Sequence, residues 1–394
     1  MIASLVAFVQ LAGLVPTNIP YDGEKPTAAQ QKVTKDQDKF NKELDGDKKL
    51  GKEAADYYDR TLKPTKDTAA QKRVEEIGAK LALIANANTF DLTWGDKRHA
   101  EFEYKFKVVD SKDVNAFSLP GGYIYVYQGL VDFVQSDDEL AGVIAHEISH
   151  ASQRHIATLR REQEKLAPIT IPLILASIFS KGSDGGIGIA GSQLISTATT
   201  NGWSVQAEKS ADYGGVQLMV AGGYDATGML TFMERLQAKE GVMDAAVDMG
   251  ILRTHPPSKA RAEKIEEYMK KNLIPVRRSL VAQDFRAYAK ASDKGQLTVF
   301  FGNRKLFVVG DGGQDRANNL TKALNTFFDK VPEMYEVTTG DDGVIYAKNR
   351  NLIVLTTEDA KANGVELEQL QNNVAKAIRS CIFSLAYHIW EGRN

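Results

Sequence analysis

Apolar residues recur along this chain in two rhythms, one near 3.6 residues and one of two. Val74, Ile77, Leu81 and Ile84 fall on one helical face and predict an amphipathic helix over 69–85. Tyr104-Lys105-Phe106-Lys107-Val108 alternates with period two and reads as a strand. Asn115–Leu119 is a short second strand candidate, and Tyr123–Tyr127 is a strongly β-prone third. The turn signal Pro120-Gly121-Gly122 separates them. Ser136-Asp137-Asp138-Glu139 fits a capping box, with Ser136 as N-cap and Glu139 three residues on. Leu140, Val143, Ile144 and Ile148 then extend a helix from about 137 to beyond 155. Further helices are expected over 203–221, about 225–239 and 258–271. Past about residue 276 the texture changes. Leu297–Phe301 and Lys305–Val309 flank Gly302-Asn303-Arg304 as a hairpin. A helix over Arg316–Phe328, strands at Gly343–Ala347 and Leu352–Leu355, a turn at Thr357–Ala360 and a helix over Glu366–Trp390 complete the pattern.

Other stretches are less regular. Met1–Val15 carries no charged side chain and is too short to span a bilayer. It suits a signal peptide over 1–20, or a buried N-terminal segment, since no Lys or Arg precedes the apolar run. Residues 21–68 are dense in mixed charge and read as a linker becoming surface helix. Leu166–Ser180 is uncharged and contains Pro168 and Pro172. It is read as a buried helix or as a surface for membrane or hydrophobic substrate, with peripheral membrane contact through 166–200. Gly186-Ile187-Gly188-Ile189-Ala190-Gly191 spells GxGxxG, but no strand leads into it and no βαβ unit surrounds it, so a connector is the better reading. The expected organisation is a leader over 1–20, a charged segment over 21–68, a main domain over 69–275 and a C-terminal α/β domain over 276–394.

Composition narrows the classes. In 394 residues, 49 Lys and Arg face 51 Asp and Glu, and the net charge of −2 argues against a nucleic-acid binder. A hydrophobic share of 43% with 25% charged residues excludes a polytopic membrane protein and a mostly disordered chain. The single cysteine, Cys381, excludes an internal disulfide and a thiolate metal cluster.

The chemistry is carried by His146-Glu147-Ile148-Ser149-His150, an HExxH motif. On a helix, i and i+4 share a face, so both imidazoles reach one ion and Glu147 sits beside them as a candidate general base. Two histidines make an incomplete site, because catalytic zinc usually has three protein ligands and one open position. Gln153 and Ile156 stand where a metzincin needs Gly and His, which excludes that subclass. His155, five residues past His150, is expected to point elsewhere, as a helix-end residue or a support for a ligand. A carboxylate from a later helix is the other standard solution. Glu208 is the candidate, with Asp212 one turn on and able to hold a ligating histidine by its other ring nitrogen.

Asn115-Ala116-Phe117, Pro120-Gly121-Gly122, Gly129-Leu130, Asp138-Glu139-Leu140-Ala141, the HExxH motif and Glu208-xxx-Asp212 occur in that order. Thr254-His255-Pro256-Pro257-Ser258 and Arg261 follow. Over about 70–270 this resembles the gluzincin family of zinc metallopeptidases that includes the CAAX prenyl endopeptidases, the HtpX heat-shock proteases and the soluble BepA-type proteases. The resemblance implies an α+β, mainly helical zincin-type domain with a small β-sheet, beside the C-terminal accessory domain. It implies one zinc ion held by His146, His150 and Glu208, with Glu147 as general base. Asn115, Ala116 and Phe117 would form the edge strand that pairs an extended peptide. His255 would approach the metal, to regulate access or polarise the transition state, or would be structural. Arg261 would anchor Asp212 or that loop. The implied activity is endopeptidase cleavage of unfolded or envelope proteins in the periplasm or elsewhere outside the cytoplasm. A C-terminal domain that recruits an envelope partner is a further expectation. The alternative is a chaperone-like or regulatory binding factor with an occluded site.

Overall fold

The computed structural model describes residues 28–164, 203–239, 255, 259–293 and 295–387. The leader reading at 1–20, the apolar stretch 166–180 and the GxGxxG at 186–191 lie outside the described residues. Two units divide the chain at Gly46. In the first, the described residues are helical and belong to the start of α1 (Ala28–Thr61). Where the sequence suggests a linker becoming helix, α1 is one 34-residue helix.

The second unit holds everything from Asp47 onward. The fold is α+β and mainly helical. Helix α2 (Thr68–Ala87) is capped by Asp67, whose carboxylate accepts from the amides of Ala69 and Ala70. It buries Val74, Ile77 and Leu81, three of the four predicted positions, while Ile84 is half-buried. Strands β1 (Lys105–Val109), β2 (Ala116–Leu119) and β3 (Tyr123–Tyr127) form a sheet in the order β1-β3-β2, with β1 parallel and β2 antiparallel to β3. The β2–β3 turn uses Gly121 and Gly122 at φ +79° and +92°, a region that L side chains rarely adopt. One face of the sheet packs Ala55 and Tyr58 of α1 against Phe117, Leu119 and Tyr125, and the other joins the main core.

That core surrounds α4 (Asp137–Ser152), which follows the short α3 (Gln128–Phe133). Leu140, Ala141, Ile144, Ala145 and Ile148 are fully buried, so α4 is apolar nearly all round. Its cap differs from the expected box. Ser136 Oγ accepts from the Glu139 amide at 3.2 Å, but the Glu139 carboxylate accepts from the Gln135 amide and from Arg235. The helix also ends earlier than its apolar pattern suggests. It stops at Ser152, Gln153 caps it, and Arg154 takes φ +53°. Such a conformation costs a non-glycine residue energy, and two carboxylates hold it here. Arg154 donates to Asp47 at 2.6 Å and to Asp96 at 2.7 Å. A separate helix, α5 (His155–Glu164), starts beyond the break.

Helices α6 (Trp203–Ala221), α7 (Thr227–Lys239) and α8 (Lys259–Lys271) enclose α4. Gly142 lets α7 approach closely, since a Cβ there would lie 2.9 Å from the Met229 Cα. The short α9 (Arg278–Val281) leads into the C-terminal part. Arg278 is buried and forms ion pairs with Glu234 of α7 and Glu266 of α8, at 2.8 and 2.9 Å.

The C-terminal part repeats one plan. Strands β4 (Ala287–Ala291), β5 (Leu297–Phe301) and β6 (Arg304–Val308) form an antiparallel meander followed by α10 (Gly313–Phe328). Strands β7 (Val337–Thr339), β8 (Val344–Ala347) and β9 (Arg350–Val354) form another, followed by α11 (Thr357–Asn363) and α12 (Leu367–Tyr387). Asn303-Arg304-Lys305-Leu306 and Asn349-Arg350-Asn351-Leu352 occupy matching places, and each middle strand carries an irregularity at its matching position. The predicted turn at Thr357–Ala360 is the start of α11. Thr356 and Asp359 form its full reciprocal capping box. Both sheets and these helices share one apolar core, in which Cys381 is buried. Among the described residues, no helix is long and apolar enough to cross a membrane.

Candidate metal centre

Each residue of the cluster is placed by a helix or its flank. His146 and His150 project from one face of α4, with their Nε2 atoms 3.0 Å apart. Glu208, in the second turn of α6, brings its oxygens to 3.4 Å from each Nε2. His255 Nδ1 lies 3.0 and 3.1 Å from the two Glu208 oxygens and 3.3 Å from His146 Nε2. These four residues can place one ligand atom each within 4.8 Å of all the others.

Each ligand candidate is held from behind. His146 Nδ1 lies 3.1 Å from Asp212 Oδ1, which holds a proton on that nitrogen and leaves Nε2 as the atom that would turn its lone pair to a bound metal. Arg261 grips Asp212 with two hydrogen bonds, of 3.0 and 2.7 Å. Its Nη1 also lies 3.0 Å from Glu208 and donates to the His255 carbonyl at 3.3 Å. The guanidinium thus offsets two buried carboxylates at once.

Burial opposes every charge here, and neighbours decide the outcome. Burial alone would push the His146 pKa down, but hydrogen bonds to Asp212 and Glu208 lift it to about 9. For His150 burial prevails and the pKa falls, despite Glu208. Burial would raise the Glu208 pKa, yet His255 and Arg261 hold it well below the usual carboxylate range. Asp212 follows the same pattern, with Arg261 outweighing burial.

Glu147 is buried, and neither of its carboxylate oxygens has a hydrogen-bond partner among the described residues. Among the described residues, His255 Nε2 lies 3.5 Å from Glu147 Oε1. A carboxylate orphaned in this way is costly unless a ligand completes its surroundings. Imidazole nitrogens with a carboxylate form a donor set suited to zinc, not to calcium or magnesium. The residues present therefore fit a zinc ion with Glu147 at its side. Beside Glu147 runs an apolar recess walled by Val143, Met229, Phe232, Met233 and Leu236.

Other residues fall differently. Ala116 and Phe117 are buried in β2, an edge of its sheet, and neither they nor Asn115 line the recess. Asn115 Oδ1 is buried with no hydrogen-bond partner among the described residues. His155 does not point away. The break at Arg154 turns its Nδ1 to 2.8 Å from His150 Nδ1. Gln153, which the sequence marks only as a departure from the metzincin pattern, and Ser210 lie behind it. Both stand among polar and charged neighbours in the sequence, Ser152-Gln153-Arg154-His155 and Glu208-Lys209-Ser210-Ala211-Asp212, so nothing local marks them.

Parts of the chain match known proteins. Residues 69–269 match the model of peptidase family M48, and residues 298–383 match a domain of unknown function, DUF8459. A beta-barrel assembly-enhancing protease of Yersinia pestis is 29% identical over 208 residues, covering 51% of this chain and 40% of that protein. The mitochondrial metalloendopeptidase OMA1 of Schizosaccharomyces pombe is 32% identical over 187 residues, covering 48% and 50%. The metalloprotease LoiP of Escherichia coli is 30% identical over 198 residues, covering 49% and 71%. The chain thus spans half or less of the first two relatives. The family match covers the HExxH helix, Glu208, Asp212 and Arg261 together, and the chain belongs to peptidase family M48.

Proposed function

We propose that this protein is a zinc-dependent endopeptidase that cuts unfolded or extended polypeptides outside the cytoplasm. The observation that carries this reading is Glu147, buried and without a hydrogen-bond partner among the described residues, beside four convergent donor atoms. His146, His150 and Glu208 would hold the ion. Zinc bound there supplies a Lewis acid for hydrolysis of the amide. Glu147 takes a proton from the attacking water on a carboxylate oxygen and delivers it to the leaving amine. Asp212 and Arg261 keep His146 and Glu208 aimed at the centre. The apolar recess suits an apolar side chain next to the scissile bond. The edge position of β2 supports pairing with an extended peptide at Asn115–Phe117. Relatives named for β-barrel assembly and for mitochondria support substrates among envelope proteins; recruitment of an envelope partner through the C-terminal part is a further element of the proposal.

The test is cleavage of an unfolded protein. Glu147→Gln is expected to keep zinc and to lose activity by about a hundred- to ten-thousand-fold. Chelation should abolish cleavage in the wild type and added Zn2+ should restore it. A Glu147→Gln protein that cuts at the wild-type rate overturns the assignment.

One observation favours a second reading, an occluded site. His255 Nδ1 stands where a fourth donor would be, although catalytic zinc keeps one position open. His255→Ala should raise cleavage if this histidine blocks the centre, and lower it if the histidine assists the reaction.

A further inference from the structure

The two histidines of α4 are supported from behind in different ways. His146 Nδ1 faces a carboxylate, Asp212. His150 Nδ1 faces another imidazole, that of His155, at 2.8 Å. Two ring nitrogens at that distance need one donor and one acceptor. His150 Nε2 lies 3.0 Å from His146 Nε2 and 3.4 Å from Glu208, so with a metal ion held among these atoms its lone pair would face the ion and its proton would sit on Nδ1. His155 must then accept at Nδ1 and carry its own proton on Nε2. That nitrogen lies 2.9 Å from Gln153 Oε1.

Gln153 sets the direction of this series. Its Nε2 donates to the Ser210 backbone carbonyl at 3.2 Å, which fixes which end of the amide is oxygen. Ser210 Oγ lies 2.6 Å from the same Oε1 and 2.9 Å from the Trp94 carbonyl, and its single proton serves one of these two acceptors. Ser210 in turn accepts at Oγ from the Trp94 amide at 3.1 Å. A backbone carbonyl therefore orients Gln153, Gln153 orients His155, and His155 orients His150. Ser210 lies two residues past Glu208 on α6, so the series joins the two helices that bring the donor set together.

The surroundings hold His155 in place. It is 1% exposed, and the Trp94 ring packs on it at 5.2 Å between centroids. Gly95 makes room, since a Cβ there would lie 3.0 Å from His155 Cδ2. The left-handed Arg154, held by Asp47 and Asp96, turns the chain so that His155 faces back onto α4.

We infer that His155 is a positioning residue: through the directional series Ser210–Gln153–His155 it fixes the His150 tautomer that presents Nε2 to the metal. This rests on the zinc-site reading above and deepens it, because it assigns the asymmetric support of the two ligand histidines.

The test is Zn2+ affinity of the full-length, metal-free chain, measured by competition with a chromophoric chelator. His155→Leu removes the acceptor and should weaken binding about 10–100-fold. His155→Asn places an amide oxygen near the site of Nδ1 and should stay within a few-fold of wild type. Equal affinities for His155→Leu and wild type, or equal weakening in the Leu and Asn variants, overturn the inference. His146→Ala separates the two readings. If it too binds like wild type, the metal-site reading itself fails; if it alone loses the metal, only the role of His155 falls. A second measurement needs no variant. Long-range 1H–15N correlations of the zinc-loaded wild type should show His155 protonated at Nε2 and not at Nδ1. A proton on His155 Nδ1 overturns the inference.

Discussion

At the scale of the residue, what matters most here is how buried charges are matched. Asp212 combines a histidine and a bidentate arginine in a buried pocket. Asp212→Ala should leave the helices in place but weaken zinc binding about 10–100-fold, as loss of a ligand's outer hydrogen bond does elsewhere. Chelator competition measures this. Asp359 is the corresponding residue in the C-terminal part. Burial would raise its pKa, but Arg316 and the amides of Gly310 and Thr356 hold it below the usual carboxylate value. A folded-state pKa lowered in this way gives stability that is present above the unfolded value, about 3.9. That stability is lost as pH falls through the folded value. Acid unfolding of the wild type should therefore steepen below about pH 4. Asp359→Asn should flatten that limb while costing about 1–3 kcal/mol at neutral pH, read from urea unfolding. HExxH was legible at this scale because two histidines four apart on a helix share a face whatever surrounds them. Gln153 and Ser210 were not, since only the fold gives them a histidine to orient.

At the scale of the element, α4 was legible in kind and start but not in length. Its apolar rhythm runs on past Ser152, and nothing local announces the break. Arg154 takes a left-handed conformation because Asp47 and Asp96, far away in sequence, bind its guanidinium. Close approach of neighbouring helices is the other property of α4 that matters. Gly142→Ala would place a Cβ 2.9 Å from both the Cα and the N of Met229, where backbone must shift. The expected cost is about 1–3 kcal/mol in urea unfolding, with α7 and its wall of the recess displaced. Short strands were legible wherever aromatic or β-branched runs met a glycine turn, as at Tyr123–Tyr127 and Leu297–Phe301. Ala287–Ala291 and Val337–Thr339 are too short or too alanine-rich to carry that signal, and only pairing with β5 and β8 makes them strands.

At the scale of the whole molecule, the peptidase core and the C-terminal core meet at buried ion pairs. Arg278 joins Glu234 and Glu266, and Arg235 joins Glu139 of α4 to Asp284 in the approach to β4. Arg278→Ala would leave Glu234 buried without its arginine, and should cost roughly 3–5 kcal/mol. Calorimetry should then show the two cores melting apart where the wild type melts together. Because Glu234 and Arg235 belong to α7, this junction also fixes the helix that walls the recess beside Glu147.

The sequence alone determined the two α4 histidines and Glu147, most helices, the clearer strands and the change of texture near residue 276. All of these are written in spacings of a few residues, which hydrogen bonding within one element reads directly. The tertiary structure decided which distant groups meet. Glu208, Asp212, Arg261 and His255 come from segments far along the chain, and their convergence depends on how α6 and α8 pack around α4. The orientation of His155 was decided in the same way. Its placement follows from a backbone turn that two remote carboxylates stabilise, and no local periodicity encodes such a contact.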